Sequence, residues 1–410
     1  MVCLYQIRTR YREIIRNFKR VGIMKNELTS NKGIWHLKKL DDVCLIKGRI
    51  GYRGYTKQDL VEKGKGAISL SPSNIKNNKL FYDNCTYISW EKYEESPEIM
   101  IFEGDIIFCK TASIGKMALV DFLPEKATLN PQFVVLKNIN CFNKFLYYFM
   151  TSEGFKKQVY EIIGGTAVPT LSQKNLGNLE IPIPSLEEQF AIVAKLDQAF
   201  AAIDQAKANI EKNIANAKEL FQSKLNQIFS GKEKLYNYEL KRFDEICVLQ
   251  RGFDLPTHER VKGNFPLVSS NGITDRILDY KITSPGVVTG RSGSIGNVHY
   301  IEENFWPLNT SLYIKDFKGN FEKYIYYFLK SIDLKKYSSG AGVPTLNRNF
   351  VHKDNFLFVN VFNSQKEIAF QLDQLQEQTK LLVTKYEQKL ANLEELKKSI
   401  LEKAFKGELV

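Results

Sequence analysis

The phrase GTAVPTL at residues 165–171 returns as GAGVPTL at 340–346, followed each time by a short polar run, an apolar patch and a long charged segment. Further landmarks recur in the same order. LKKLDDVCLI (37–46) returns as LKRFDEICVL (240–249), CKTASIGKMALV (109–120) as TGRSGSIGNVHY (289–300), and LNPQFVVLK (129–137) as LNTSLYIKD (308–316). YYFM (147–150) answers YYFL (326–329), and ELFQSKLNQIFSG (219–231) parallels ELKKSILEKAFKG (395–407). Repetition at this period constrains the fold more than any other feature: the chain is one unit written twice.

Each copy has a globular part, 34–184 and 236–361, and a helical part, 185–231 and 363–407. The globular parts carry short β-like runs such as GDIIFCK and QFVVLK, helical patches such as FNKFLYYFMTSEGFKKQVYEII, and Gly/Pro punctuation. That mixture predicts two tandem α/β (mixed α+β) domains. In the first helical part Val193, Phe200, Ile214, Phe221 and Ile228 lie on one row at steps of seven, broken by Lys207. Leu196, Ile203, Ile210 and Ala217 form a second row. The second helical part has Leu372, Leu375, Thr379, Leu382, Tyr386, Leu390, Leu393, Leu396 and Ile400 in a similar rhythm. Alternating steps of three and four make a seam for another helix. Lys207 either sits in that seam at a cost or turns to solvent. Isolated helices this long are marginal, so each needs a partner, most simply the other copy in an antiparallel coiled coil with pseudo-two-fold symmetry. Ser185 with Glu187 and Glu188 marks the start of the first helix, and Gly231 and Gly407 mark the two ends.

Residues 1–33 have no apolar core of a secretory signal; they read as an untranslated leader before Met24 or as a short basic helix. No apolar run approaches the roughly 20 residues of a membrane span. Lys plus Arg number 58 against 46 Asp plus Glu, a net charge of +12 that favours a polyanionic partner. Cys3, Cys44, Cys85, Cys109, Cys141 and Cys247 lack CxxC spacing and read as buried thiols of a reducing cytoplasm. His36, His258, His299 and His352 form no ligand pair at helical spacing, so no metal site is expected.

No catalytic constellation is legible. GRSGSIGN (290–297) fits neither phosphate-loop pattern and reads as a turn between strands. NPQF (130–133) narrowly misses the [DN]PP[FY] motif of amino-methyltransferases, and Asn130 and Asn309 read instead as residues leading into a strand. The positive signal lies in two basic, aromatic loops after the first strand of each half. Arginine suits guanine O6 and N7, Gln and Asn suit adenine, and lysine meets phosphate. Candidate DNA contacts are Arg49, Tyr52, Arg53, Lys57 and Gln58 in KGRIGYRGYTKQD (47–59). Their counterparts are Gln250, Arg251, His258 and Arg260 in QRGFDLPTHERVKG (250–263). Asn271, and the turns lifting Lys110, Lys116 and Arg291, complete the set.

With these residues in view, the chain resembles the specificity subunits of type I restriction–modification systems across about residues 34–408. The resemblance rests on the tandem plan and on GGTAVPTLSQKNLGNLEIPIPSLEEQFAIVAKLD (164–197), typical of the junction between a target-recognition domain and its spacer helix. Residues 338–373 repeat that stretch more loosely, with Asn360 and Val361 where the first copy has a Pro-rich strand end. The resemblance implies that each domain reads half of an asymmetric bipartite site in double-stranded DNA. It implies helices that separate the readers and dock two modification (methyltransferase) subunits, which use S-adenosylmethionine to methylate adenine N6. Restriction subunits using ATP and Mg²⁺ would join them to translocate and cleave DNA. The chain itself would be non-catalytic, hold no cofactor or metal, touch no membrane and reside in the cytoplasm. The competing readings are a stand-alone bipartite DNA-binding or regulatory protein, a degenerate DNA methyltransferase or nuclease, and a coiled-coil scaffold.

Overall fold

A computed structural model describes residues 35–163, 170–340 and 344–409. Residues 1–33, most of the first VPTL phrase and the start of the second lie outside them. The chain divides into two compact units, one of the residues up to Ile203 with those from Glu394, the other of Asp204–Leu393.

The two units share one scaffold. In the first, strand His36–Lys39 pairs antiparallel with Glu180–Ile183, and Leu40–Val43 turns as a short helix into strand Leu45–Gly48. In the second, Glu239–Arg242 pairs with Asn355–Phe358, and Phe243–Ile246 leads into Val248–Arg251. The strand before Asn360 therefore forms without the proline of the first copy. A four-stranded antiparallel sheet follows in each, ordered Met117–Leu119, Ile106–Cys109, Phe133–Lys137, Leu45–Gly48 in the first unit. The order Val298–Ile301, Gly286–Gly290, Ser311–Asp316, Val248–Arg251 repeats it in the second.

Strand alternation explains the apolar composition of these segments. Ile106, Phe108, Val134 and Leu136 face Leu146, Phe149 and Phe155 of the helices. Ile107, Cys109, Phe133 and Val135 face a second sheet through Ile68, Leu70 and Leu129. A strand covered on both faces has no place for polar residues, hence the runs IIFC and FVVL. The second sheet is where the units diverge: five strands in the first unit, three in the second. Cys44, Cys109, Cys141 and Cys247 are buried and unpaired whereas Cys85 is half-buried, and burial pushes the Cys141 thiol up to about 12, so it stays protonated.

GRSGSIGN and its counterpart are strand-connecting turns. Gly293 (φ 83) and Gly296 (φ 88) take left-handed backbone, and Ala112 (φ 63) with Gly115 (φ 89) occupies the same places in the first unit. A left-handed alanine costs about 1–2 kcal/mol, part of which glycine returns through unfolded-state entropy. Ala112→Gly is therefore expected to raise stability by about 1 kcal/mol, read as a higher urea midpoint at unchanged m-value.

The long helices run Leu186–Phe229 and Phe362–Phe405. The Ser185 hydroxyl accepts the Glu188 N–H at 3.2 Å as an N-cap. Both helices end in Schellman turns: Lys232 N–H reaches Gln227 C=O and Glu408 N–H reaches Lys403 C=O, with Gly231 (φ 75) and Gly407 (φ 72) left-handed between. Each unit holds the start of one helix and the end of the other, packed antiparallel. In the first, Ile192, Val193 and Leu196 meet Leu401 and Ala404, and Lys397 lies 4.8 Å over the Phe200 ring. In the second, Leu225 and Ile228 share a core with Ile368, Ala369 and Leu372.

Val193, Leu196, Ile203, Ala217 and Leu372 are buried on this seam, and Phe200, Lys207, Ile210, Ile214, Phe221, Leu375, Tyr386, Leu393 and Ile400 are half-buried. Leu382 is not on it. It is 41% exposed, as Leu396 is 47%, while Gln376, Val383 and Lys397 are half-buried. The true second row runs Gln376, Val383, Leu390, Lys397, Ala404, each within a step of seven. Two polar residues in that row make the neighbouring leucines look like the seam.

Candidate nucleic-acid interface

Strand register brings Arg49, Lys110 and Lys116 to one end of the four-stranded sheet in the first unit and Gln250, Arg251 and Arg291 to the equivalent end in the second, while Lys57, Gln58, His258 and Arg260 lie on the loops beyond. In the first unit Gly48 lies opposite Val134, and Cys109 opposite Phe133. The chain thus leaves the sheet at Arg49 and Lys110 where it enters at Gln132. The Lys110 N–H donates to Gln132 C=O at 2.8 Å. The Lys110 C=O accepts the Leu171 N–H at 2.8 Å, and Thr111 bridges to Thr170. In the second unit Arg291 C=O accepts the Leu346 N–H at 2.8 Å, and Ser292 bridges to Thr345. The end of each VPTL phrase is thus the backbone tether of a basic turn.

The individual side chains differ in how much they offer a ligand. Arg49 is buried: Nη1 donates to Arg53 C=O (3.1 Å) and Ser96 Oγ (3.3 Å), and Nη2 to Leu129 C=O (3.0 Å). Burial pushes its guanidinium below the usual range, against the pull of Tyr55, Glu98 and Glu95. Arg49 is therefore a staple of its loop and is not placed to read a base. Arg53 is half-buried and donates to Glu95 C=O at 2.9 Å, with Glu98 at 3.5 Å. Lys57 and Gln58 are exposed on a single 3-10 turn, Lys57–Asp59, capped by Thr56. The Tyr52 side chain lies outside the described residues. Lys110 is half-buried, and Lys116 is exposed with Nζ 3.4 Å from Pro72 C=O.

In the second unit Gln250 is half-buried in its strand opposite Tyr313, and His258 is exposed with Nε2 3.5 Å from the Glu259 carboxylate. Arg260 closes its own loop, with Nε and Nη2 donating to Leu255 C=O at 3.2 and 3.1 Å. Asn271 is exposed and accepts from the Ser294 hydroxyl, joining the SSNG loop to the Arg291 turn. Arg291 Nη1 donates to Asn309 C=O at 3.3 Å. Arg251 Nη2 donates to both Asp254 oxygens at 3.1 and 3.2 Å, and Asn309 Nδ2 donates to the same carboxylate.

Sequence reasoning missed Gln132 and Asp254. Gln132 Oε1 accepts from Asn130 Nδ2 at 3.1 Å, and its N–H donates to Asn130 Oδ1 at 3.0 Å. Asn130, 9% exposed, thus leads into its strand as a turn residue. The available signal was position: Gln132 directly precedes strand Phe133–Lys137 and Ser311 opens the equivalent strand, and a polar residue there sits at the sheet end.

A model of the type I restriction modification DNA specificity domain matches residues 33–216 and 236–392. The type I restriction enzyme MjaVIII specificity subunit of Methanocaldococcus jannaschii is 24% identical over 226 residues, 54% of this chain and 48% of that protein. This chain spans about half the length of the curated relatives it matches. A chain from a structure addressing complex assembly and conformational transition of the type I R-M system aligns with TM-score 0.72 and 20% identity, covering 93% of this chain and 100% of that one. The crystal structure of the HsdS subunit from Thermoanaerobacter tengcongensis aligns with TM-score 0.58 and 20% identity, covering 94% and 100%. At this identity the two structures speak for the fold. With the family model covering most of both repeats, the chain belongs to the type I restriction modification DNA specificity family.

Proposed function

We propose that this chain is the specificity subunit of a type I restriction–modification complex acting on the genome in the cytoplasm. It binds duplex DNA at an asymmetric bipartite site and directs adenine N6 methylation and restriction by partner subunits. The observation that carries this reading is one scaffold presenting different groups at the same sheet end. Lys110 stands where Arg291 does, and Asn130, paired with Gln132, stands where Asn309, paired with Asp254, does. Equivalent frames with unlike donors suit two half-sites of unlike sequence.

The modification subunits bring S-adenosylmethionine, and the restriction subunits bring ATP and Mg²⁺. Among the described residues no three or more His, Cys, Asp or Glu are placed to hold a metal ion. Exposed apolar residues on the long helices, Leu220, Phe370, Leu381 and Leu382, supply docking area for the modification subunits.

The test is to map N6-methyladenine across the host genome. One split sequence should be methylated with the gene intact and unmethylated when it is deleted. Adding seven residues to both long helices at facing seam positions should lengthen the spacer by roughly 10 Å and widen the half-site gap by about three base pairs. An unchanged methylome on deletion rejects the proposed role, and an unchanged gap after insertion rejects the helices as its ruler.

A further inference from the structure

We infer that Asp254 is a positioning residue that fixes Arg251 as the reader of a guanine in the half-site of the second unit. The inference rests on the specificity reading above and adds to it a residue and a base. Arg251 ends strand Val248–Arg251 and its side chain is 49% exposed. Asp254 follows on a backbone pinned to the sheet: Gly252 N–H donates to Ser311 C=O, Phe253 N–H to Pro307 C=O, and Asn309 N–H to Phe253 C=O. The Phe253 ring stacks on Tyr313 at 5.9 Å between centroids. Asp254 therefore follows directly on backbone fixed to the sheet, and its carboxylate is held by Asn309, whose carbonyl in turn accepts from Arg291.

The clamp makes little sense as a source of stability, because an exposed ion pair contributes little to folding. It also makes little sense as a source of affinity, since a carboxylate beside a phosphate backbone repels it. What it does supply is orientation. Arg251 is held on one side through Nη2, and among the described residues Nη1 makes no protein hydrogen bond, so on this half-exposed side chain the Nη1 N–H groups stay available to a ligand. Bidentate pairing to guanine O6 and N7 draws on such donors, and an arginine already ordered loses less side-chain freedom on binding. The first unit lacks the arrangement: Gly51 stands where Asp254 does, and Gly48 where Arg251 does.

The experiment measures binding of the assembled methylation complex to its mapped site and to duplexes carrying each single base-pair change, at one salt concentration. Complexes with Arg251→Ala, Asp254→Asn and both changes are compared, with melting temperatures checked. Wild type should discriminate at one G·C pair in the second unit's half-site, and Arg251→Ala should abolish that preference. Asp254→Asn should reduce it about tenfold at the same pair, with equal or tighter binding to unrelated DNA, and the double change should add nothing to Arg251→Ala. Retained discrimination in Asp254→Asn, or a uniform loss across all duplexes, overturns the positioning role while leaving the specificity reading intact. A wild-type complex without sequence preference overturns both.

Discussion

Replacing Gln365 with leucine is expected to destabilise the second unit by about 3–5 kcal/mol, and Gln189→Leu the first by about 2–4 kcal/mol. Gln365 has no exposed surface. Its Oε1 accepts the Phe321 N–H at 2.9 Å, and its Nε2 donates to Asn320 Oδ1 at 2.7 Å and Val359 C=O at 2.8 Å. Gln189 makes the matching bonds, accepting the Phe142 N–H at 2.8 Å and donating to Pro184 C=O at 3.0 Å. Leucine fills a similar volume and gains a little from burial, but it strands the amide and carbonyls it leaves behind. Each unsatisfied group costs about 1–3 kcal/mol, which outweighs the gain. Thermal unfolding should fall by about 10 °C for Gln365→Leu, and exchange of the Phe321 amide should accelerate. A change under about 1 kcal/mol would mean that water replaces the lost bonds and that the glutamine does not fix the long helix to the backbone around Phe321 and Val359.

These glutamines also mark where sequence reasoning stopped. A buried polar residue within a charged helix looks like one more solvated position; only its recurrence at the third residue before an apolar pair, EQFAIV and SQKEIA, sets it apart. The same holds for Tyr148 with Asp197 and Tyr327 with Asp373, each hydroxyl donating to its carboxylate at 2.5 Å. The repeat, the α/β composition, the Schellman glycines and the first helix's seam were legible because periodicity and turn chemistry encode them locally. The second row of the second helix was misread through Leu382 because identity alone cannot place Gln376 and Lys397 in a seam. The candidate DNA contacts could be named only as a set, since a loop's composition gives its charge but not which side chain the fold turns inward.

Arg49 illustrates that last point and carries the second large effect. Its position in the repeat is that of Gly252, where an added Cβ would meet Leu308 C=O at 2.2 Å. The equivalent carbonyl in the first unit, Leu129 C=O, accepts from Arg49 Nη2 at 3.0 Å. At this place one copy brings backbone close and the other fills a gap with a guanidinium. Arg49→Met should cost about 2–4 kcal/mol. It removes donors from Leu129 C=O, Arg53 C=O and Ser96 Oγ, while relieving burial of a charge whose Nε has no hydrogen-bond partner among the described residues. The loop carrying Lys57 and Gln58 then loses its anchor at both the strand end and Ser96. Methylation should become degenerate in one half of the split site and stay faithful in the other, a pattern that follows from Arg49 lying wholly within the first unit. Loss of fidelity in both halves equally would mean global unfolding, and full fidelity at reduced stability would separate the staple from recognition.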